Sequence, residues 1–314
     1  MSRRWQFFLV LLIVVPILAN CTQSRDKQET ISVSGAFALY PIMVRWAEEY
    51  QTANPNIRID VSAGGAGKGM ADTLAGVVNI GMVSREIKIE EENQGAYAIA
   101  VTKDAVFPVA NAQNPALDDL LKKGVSREMF RAIYLTGEIT TWGQVVGKPE
   151  QTDSIDVYTR SDSCGAAEMW AKYVGDEAQE DLLGIGVSGD PGELEAVVKD
   201  SLGIGYNNLN YAFDATTGKP VAGVVIIPVD VNGNGQVDEA ERLDTKDMAI
   251  RAVASGAYPS PPARLLYLVT RGKPSGATLD FIHWILNEGQ DFVSEVGYIK
   301  LTADQLAQEQ SKLP

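Results

Sequence analysis

Residues 158–174 read YTRSDSCGAAEMWAKYV and change from a β pattern to a helical pattern along their length. Apolar and β-branched residues lead into Arg160, a polar and glycine run follows as far as Gly165, and residues of high helix propensity come next. This order predicts a strand, a tight turn and a helix start, where backbone N–H groups and the helix dipole favour an anion. Arg160 adds a planar fork of donors suited to phosphate or carboxylate. The alternative is an ordinary helix cap beside a surface arginine.

The N-terminal part of the chain repeats this alternation of strand, turn and helix. Glycine or serine turns end the predicted strands, at Ser34, Gly65 and Ser84. The alternation indicates an α/β fold with parallel strands, and ligands of such folds lie at the carboxyl ends of the strands. These three turns and the turn after Arg160 are therefore predicted to form one site. The predicted strands are residues 31–35, 57–61 and 80–83, and the predicted helices are residues 41–50 and 70–75.

Composition limits the class of protein. The chain has 314 residues, enough for two domains, and its 45% hydrophobic and 22% charged residues are ordinary for a globular protein. The formal net charge of -14 disfavours nucleic acid and anionic membrane as partners. A small anion remains admissible, because salt screens distant charges beyond roughly 8–10 Å. The two cysteines, Cys21 and Cys164, predict no disulfide framework.

The N-terminus has the pattern of an export signal. A basic start precedes an almost wholly apolar run at residues 7–18, and Leu-Ala-Asn-Cys21 closes that run. The run is too short for a spanning helix, so residues 1–21 are predicted to be a signal peptide. The order Leu-Ala-x-Cys resembles a bacterial lipobox, in which Cys21 carries lipid and residues 22–30 form a tether. A plain signal peptide cut nearby is the alternative, and both readings predict an extracytoplasmic protein, in the periplasm or at the cell surface.

A second motif, DVNGNGQVDEAE at residues 230–241, fits the calcium-loop pattern D-x-[DN]-x-[DN]-G-x5-E throughout. Calcium requires several oxygens at close range, and Gly235 allows the sharp bend of such a loop. The strand-like residues 224–229 before it predict a structural site rather than a regulatory helix pair. The alternative is a polar Asn-Gly turn. The predicted Ca2+ ligands are Asp230, Asn232, Asn234, the Gln236 carbonyl, Asp238 through water, and Glu241 with both oxygens.

Short motifs spread along the chain carry a family resemblance. They are Gly35–Pro41 before a helix with Trp46, Gly64–Gly69, Asn79–Arg85, Ala105–Val109, Leu135–Trp142, Arg160–Ala166 and Gly203–Tyr206. In their order and spacing they resemble the phosphate-binding protein of bacterial ABC phosphate transporters, a type II periplasmic solute-binding family. The resemblance implies an α/β fold of two lobes joined by two crossover strands. Lobe 1 would comprise residues 31–106 and 221–314, and lobe 2 residues 107–220.

The resemblance also implies a site between the lobes. Backbone N–H groups would come from the turns at residues 36–38 and 65–66, and Ser84 and Arg160 would supply side-chain donors. Phe37, Ala66, Cys164 and Ala166 stand where relatives carry hydroxyl groups, each worth about 1.5–3 kcal/mol when it bonds a charged acceptor. The predicted ligand-binding residues are Ala36, Phe37, Ala38, Gly65, Ala66, Ser84, Arg85, Arg160, Asp162, Ser163, Cys164 and Gly165.

The function predicted from these features is the capture of a tetrahedral oxyanion, phosphate by resemblance, for an ABC permease in the membrane. The protein is expected to act as a monomer without an organic cofactor. The alternative, suggested by the missing hydroxyls, is a calcium-bound sensor or adhesion lipoprotein on the same fold. No enzyme activity is expected, because the only histidine, His283, falls on an apolar helix and no zinc motif is present. A low-pKa thiolate at Cys164 is a second interpretation of that residue.

Overall fold

The computed structural model describes residues 28–314. The predicted signal peptide with Cys21, and residues 22–27 of the predicted tether, lie outside the described residues. Within residues 28–314 no helix is both long and apolar enough to cross a bilayer. The strands of this part of the chain are β1 Glu29–Gly35, β2 Ile57–Ala63, β3 Ile80–Val83, β4 Ala96–Asp104, β5 Val106–Asn111, β6 Val125–Ser126, β7 Asp156–Arg160, β8 Ile185–Val187, β9 Gly203–Asn208, β10 Val224–Ile226, β11 Val229–Asp230 and β12 Arg264–Arg271.

Helices cover both sheets, and several begin at side-chain caps. Thr141, Thr245 and Thr302 each accept a hydrogen bond from the backbone N–H three residues later, which satisfies one free donor of the helix that follows. The helices are α1 Tyr40–Ala53, α2 Ala66–Leu74, α3 Ile89–Asn93, α4 Leu117–Lys123, α5 Arg127–Arg131, α6 Trp142–Val146, α7 Gly165–Gly175, α8 Gly189–Lys199, α9 Leu209–Ala212, α10 Lys246–Ser255, α11 Gly276–Leu286, α12 Asp291–Glu295 and α13 Ala303–Lys312.

The first lobe is built on a five-stranded sheet with the order β2-β1-β3-β12-β4. β1 pairs in parallel with both β2 and β3, and Val33 lies opposite Val61 on one side and Ile80 on the other. β12 returns antiparallel between β3 and β4. The carboxyl ends of β1, β2 and β3 therefore lie at one edge, and the three predicted turns of this lobe follow them there.

The second lobe has a five-stranded sheet with the order β10-β5-β9-β7-β8. The strand, turn and helix predicted at residues 158–174 are confirmed, because β7 ends at Arg160 and α7 begins at Gly165. Together the two helix-covered sheets confirm the predicted two-lobed α/β fold class.

The division between the lobes differs from the one inferred from the sequence, which returned residues 221–314 to lobe 1. β10 pairs antiparallel with β5 and extends the second sheet, and Leu243, Ala249 and Tyr258 belong to the core of that lobe. The chain re-enters the first sheet only at Arg264. The apolar pattern of residues 221–229 indicates a strand, but a strand pattern does not specify which open sheet edge it covers.

Two connections join the lobes. β4 and β5 are separated by Ala105 alone, so the chain runs almost without interruption from one sheet into the other. The second crossing lies between Tyr258 and Arg264, where a proline-containing segment leads into β12. The start of β12 and the end of β4 meet at these crossings, with Arg264 opposite Asp104 in the ladder. A pair of adjacent crossings is the geometry that lets two lobes move about a common hinge.

The core of the second lobe holds the end of β7 in place. The Trp170 ring stacks on the Tyr206 ring, with 5.6 Å between ring centroids, and both side chains are fully buried. The Tyr206 hydroxyl lies 2.7 Å from Thr159 Oγ1 and accepts a 3.3 Å bond from the Arg160 N–H. An aromatic pair of this kind contributes about 0.5–1.5 kcal/mol beyond its buried area. The aromatic core therefore fixes the backbone from which the Arg160 side chain extends.

Candidate functional site

The N-termini of α2 and α7, one from each lobe, meet at the junction of the lobes. The Gly67 N–H in the first turn of α2 donates a 3.1 Å hydrogen bond to the Ser163 carbonyl just before α7. Gly65 has φ of +89°, and a Cβ atom there would lie 2.6 Å from that same carbonyl. Glycine at position 65 is required both by the left-handed backbone and by the close approach of the other lobe.

Two further predicted turns reach the same junction. A Cβ atom on Gly165 would lie 2.1 Å from the Ser84 carbonyl, so the end of β3 packs directly on the start of α7. The Phe37 ring, from the turn after β1, lies over the Arg160 guanidinium with 5.5 Å between its centroid and Cζ. The structure thus brings together the four predicted turns, and it places residues 36–38, 65–66, 84 and 160–165 around one junction.

Arg160 is the buried centre of this junction, with a side chain that is 0% exposed. Its Nε and Nη2 donate to the two carboxylate oxygens of Asp162 at 2.8 and 2.7 Å. Its Nη1 donates to Asp190 Oδ2 at 2.8 Å. The interpretation of Arg160 as a surface arginine is therefore wrong, and its charge is already balanced by two carboxylates from its own lobe.

The titration of these groups follows from that pairing. Burial alone would lower the pKa of the Arg160 guanidinium, but the Asp190 and Asp162 carboxylates raise it above its ordinary value. Burial likewise opposes ionisation of Asp162. The hydrogen bonds that Asp162 accepts from Arg160 and from the Gly189 N–H outweigh the effect of burial, so the pKa of Asp162 is lowered. The arginine and Asp162 are consequently both charged at neutral pH. The Asp162 carboxylate also lies beside the start of α2, with Oδ2 2.9 Å from the position of a Gly65 Cβ.

Backbone donors remain free at the two helix starts. The N–H groups of Ala66, Gly165 and Ala166 lie in the first turns of α2 and α7, where no preceding turn supplies an acceptor. Within residues 28–314 none of the three donates to another protein atom, although all three residues are buried. Buried N–H groups without a partner are unfavourable, so these donors favour an acceptor that is not part of the chain.

Cys164 acts as the cap of α7, and its thiol is not activated. Its Sγ accepts a 3.4 Å bond from the Ala167 N–H, and the residue is only 6% exposed. Burial raises the pKa of the Cys164 thiol to about 12, against the opposing effect of Arg160. The low-pKa thiolate considered from the sequence is therefore wrong, because desolvation outweighs the nearby positive charge.

Arg85 joins the two lobes instead of pointing free donors at the junction. Its Nη1 donates to Glu91 Oε2 at 2.8 Å, and its Nε lies 3.2 Å from Glu168 Oε2 on α7 of the other lobe. A second pair between the lobes forms nearby, where Lys172 Nζ lies 2.9 Å from Glu86 Oε2. The structure thus places Arg85, which the sequence assigned to ligand binding, in an ion pair that bridges the lobes.

Sequence reasoning missed the polar residues that hold Arg160 from behind. Asp190 is fully buried at the start of α8, and its Oδ1 accepts hydrogen bonds from the N–H and Nδ2 of Asn208 at 3.1 and 2.6 Å. Arg264 in turn donates to Asn208 Oδ1 and lies 3.6 Å from Asp104. Asp190 lies three residues after the end of β8, and that position at a strand end is the signal that would have identified it.

The predicted calcium loop lies on the second lobe, between β11 and α10. Asp230 ends β11, and Glu241 ends a short helical turn at residues 239–241. Within residues 28–314, no group of three or more His, Cys, Asp or Glu side chains is arranged to hold a metal ion. Three of the six predicted ligands are amide or backbone oxygens, from Asn232, Asn234 and the Gln236 carbonyl, so carboxylates alone do not define this loop.

Two α/β lobes that close on a buried arginine and on two helix N-termini define a two-lobed solute-binding protein. The chain belongs to the PBP superfamily, because the model of the PBP superfamily domain matches residues 20–288.

Similar proteins agree with that family. The phosphate-binding protein PstS of Bacillus subtilis is 28% identical over 277 residues, which cover 87% of this chain and 81% of that protein. A phosphate ABC transporter substrate-binding protein with bound phosphate from Clostridium perfringens is 25% identical with a TM-score of 0.70, covering 87% of this chain and 100% of that one. An ABC-type phosphate transport receptor from Vibrio cholerae shares the fold, with a TM-score of 0.63, 22% identity and coverage of 86% and 100%. The family resemblance stated from the motifs is confirmed.

Proposed function

We propose that this protein captures phosphate, or a closely related tetrahedral oxyanion, outside the cytoplasm and delivers it to an ABC permease. The observation that carries the proposal is the meeting of the α2 and α7 N-termini beside Arg160, with the Gly67 N–H bonded across the lobes. Helix N-termini and guanidinium groups are the standard protein donors for phosphate oxygens. The relatives named for phosphate transport support the same ligand.

The protein is proposed to be a monomer anchored to the membrane by lipid on Cys21. An export signal followed by Leu-Ala-Asn-Cys21 and a polar tether supports this arrangement. A lipid anchor would keep the binding protein near its permease in the membrane while leaving both lobes free to open and close.

Binding would rely more on backbone than on side-chain donors. Ala66, Gly165 and Ala166 offer free N–H groups at the two helix starts. A guanidinium has five N–H donors, and the Asp162 and Asp190 contacts engage three of them. Because both carboxylates oppose a second negative charge, we expect weaker binding than for a site that presents an unpaired arginine and hydroxyl donors.

Isothermal titration calorimetry of the exported protein with phosphate, sulfate, molybdate and tungstate tests this function. At least one oxyanion should release or absorb heat with one-to-one stoichiometry, and Arg160→Ala should weaken that binding by about tenfold or more, as expected for loss of a charge-assisted bond. No binding of any oxyanion at millimolar concentration would reject the proposal and leave the sensor or adhesion alternative.

Two further variants control for folding. Arg58→Ala removes an exposed arginine that pairs with Asp60 two residues later, the same spacing as Arg160 and Asp162, and should leave binding unchanged. Arg160→Lys keeps the charge beside Asp190 but lacks the fork, so it should fold and still bind less tightly. The melting temperature of each variant separates lost binding from lost structure.

A further inference from the structure

The loop at residues 230–241 of the second lobe buries two carboxyl groups that form no ion pair with a protein cation. Asp230 and Glu241, at the two ends of the loop, are 6% and 8% exposed. Within residues 28–314, no Lys, Arg or His side chain lies within 4.0 Å of the carboxylate of Asp230, Asp238 or Glu241. Backbone N–H groups compensate part of the cost of burying these groups, and a bound cation would supply the counter-charge that the chain does not.

Both buried carboxylates are turned into the loop. Asp230 Oδ1 accepts from the Gly233 and Asn234 N–H groups at 2.8 and 3.1 Å, and Oδ2 accepts from the Gly235 N–H at 2.9 Å. Glu241 Oε1 accepts from the Val231 N–H at 2.8 Å, and its Oε2 accepts from the Asp238 N–H at 3.0 Å. An ionised carboxylate has about four acceptor positions, so these bonds leave lone pairs on both residues for a metal ion.

The remaining predicted ligands converge on the exposed side of the loop. The Nδ2 atoms of Asn232 and Asn234 lie 2.6 and 3.2 Å from Asp238 Oδ2, so the ends of three side chains meet within hydrogen-bond distance. Rotation of an amide group by half a turn exchanges its nitrogen and oxygen, which would present the Asn232 and Asn234 oxygens instead. The exposure of these three residues gives an ion a path from solvent.

We propose that residues 230–241 bind one Ca2+ ion. Its ligands are the side chains of Asp230, Asn232, Asn234, Asp238 and Glu241 with the Gln236 carbonyl. A flexible set of six or more neutral and anionic oxygens suits Ca2+ better than Mg2+, which demands smaller, octahedral geometry.

The proposed ion is structural and supports one end of the second lobe. The loop connects β11, which pairs with β6, to α10, and the Val237 N–H donates a 2.9 Å bond to the Lys122 carbonyl at the end of α4. A strand rather than a helix precedes the loop, so no pair of helices is present to open on binding. Ca2+ binding should therefore raise stability without changing the oxyanion affinity.

The test uses exported protein freed of metal with a chelator and then titrated with CaCl2. Calorimetry should give one site, and the melting temperature should rise with Ca2+ concentration by ligand linkage. Glu241→Gln keeps the shape and one oxygen of the side chain but removes its charge, and it should weaken Ca2+ binding by about tenfold or more. Glu239→Gln, in the same helical turn at a position that supplies no ligand, is the matched control and should respond as the parent protein does.

Each contrary outcome overturns the site. It is rejected if the metal-free protein shows neither heat nor a melting shift up to about 10 mM Ca2+, beyond the weakest range of calcium loops. It is equally rejected if Glu239→Gln and Glu241→Gln lose the Ca2+ response to the same extent, or if Mg2+ at equal concentration gives the same shift. Phosphate binding is a separate readout, so failure of one proposal does not hide failure of the other.

Discussion

At the scale of single residues, a chain of buried polar contacts connects the lobe crossings to Arg160. Asp104 at the end of β4 faces Arg264, and Arg264 bonds to Asn208. Asn208 bonds to Asp190, which in turn accepts from Arg160. Removing one member of such a chain leaves another buried charge unpaired, which typically costs about 3–5 kcal/mol. The polar residues behind the site therefore matter to stability as much as those that face it.

Asp104 should make stability depend on pH between about 4 and 6. Burial raises the pKa of Asp104 to about 6, against the opposing effect of Arg264. A carboxyl group with a raised folded-state pKa contributes stability that is present below its unfolded pKa of about 3.9 and is lost as pH rises through about 6. When the pH is raised from 4.5 to 7.5, the unfolding free energy of the parent protein should fall by about 2 kcal/mol more than that of Asp104→Asn. Urea unfolding of both proteins at the two pH values measures this change. If the parent and the variant differ in stability by the same amount at both pH values, the prediction is contradicted.

At the scale of elements, the strands, turns and helix starts of the site could be predicted because each is encoded locally. The β patterns and the glycine or serine turns placed the ends of β1, β3 and β7 correctly, and they placed the end of β2 two residues early. The partner of β10 could not be predicted in this way, because residues 224–226 carry no information about which open edge they cover. The pairing of Arg85 with Glu168 and of Arg160 with Asp190 depends on contacts between distant segments, which no local pattern contains.

The placement of β10 gives a prediction for hydrogen exchange. Its residues pair with β5, with Val225 opposite Ala110, and the Ile227 N–H donates to the Pro108 carbonyl. In a series of urea concentrations, amides at residues 224–227 should lose protection together with those of β5 and β9, because they share one hydrogen-bonded ladder. Mass spectrometry of peptic peptides resolves these segments. Loss of protection in step with β1 and β12 would contradict the assignment to the second lobe.

At the scale of the whole molecule, the lobes are held together by a few direct contacts around the site. Within residues 28–314 they include the Gly67–Ser163 hydrogen bond, the Arg85–Glu168 and Lys172–Glu86 ion pairs, and the Phe37 ring on Arg160. Farther from the site, Lys246 Nζ donates to the Val296 carbonyl at 3.1 Å. Lys172–Glu86 is largely exposed, and surface pairs of this type contribute about 0–1 kcal/mol. Lobes joined by contacts of this kind can open for a solute. An anion bound to the free N–H groups of both helix starts would stabilise the closed arrangement.

Gly67 allows the contact between the lobes to be changed without harming its own helix. A Cβ atom there would lie 2.3 Å from Ser163 Oγ and 2.7 Å from Ser163 Cβ, both in the opposite lobe. Alanine is otherwise favoured over glycine inside a helix by about 1 kcal/mol. Gly67→Ala should therefore hold the lobes apart while leaving α2 intact, and Gly67→Ala with Ser163→Gly should allow them to close again. Gly192→Ala, in α8 with no atom within 4 Å of the added Cβ, is the matched control.

The phosphate affinity of these variants, measured by titration calorimetry, tests whether closure of α2 on α7 forms the oxyanion site. We expect Gly67→Ala to bind phosphate about tenfold or more weakly at an unchanged or higher melting temperature. The double variant should recover most of the affinity, and Gly192→Ala should match the parent protein. Parental affinity in Gly67→Ala would contradict a site built from these two helix starts.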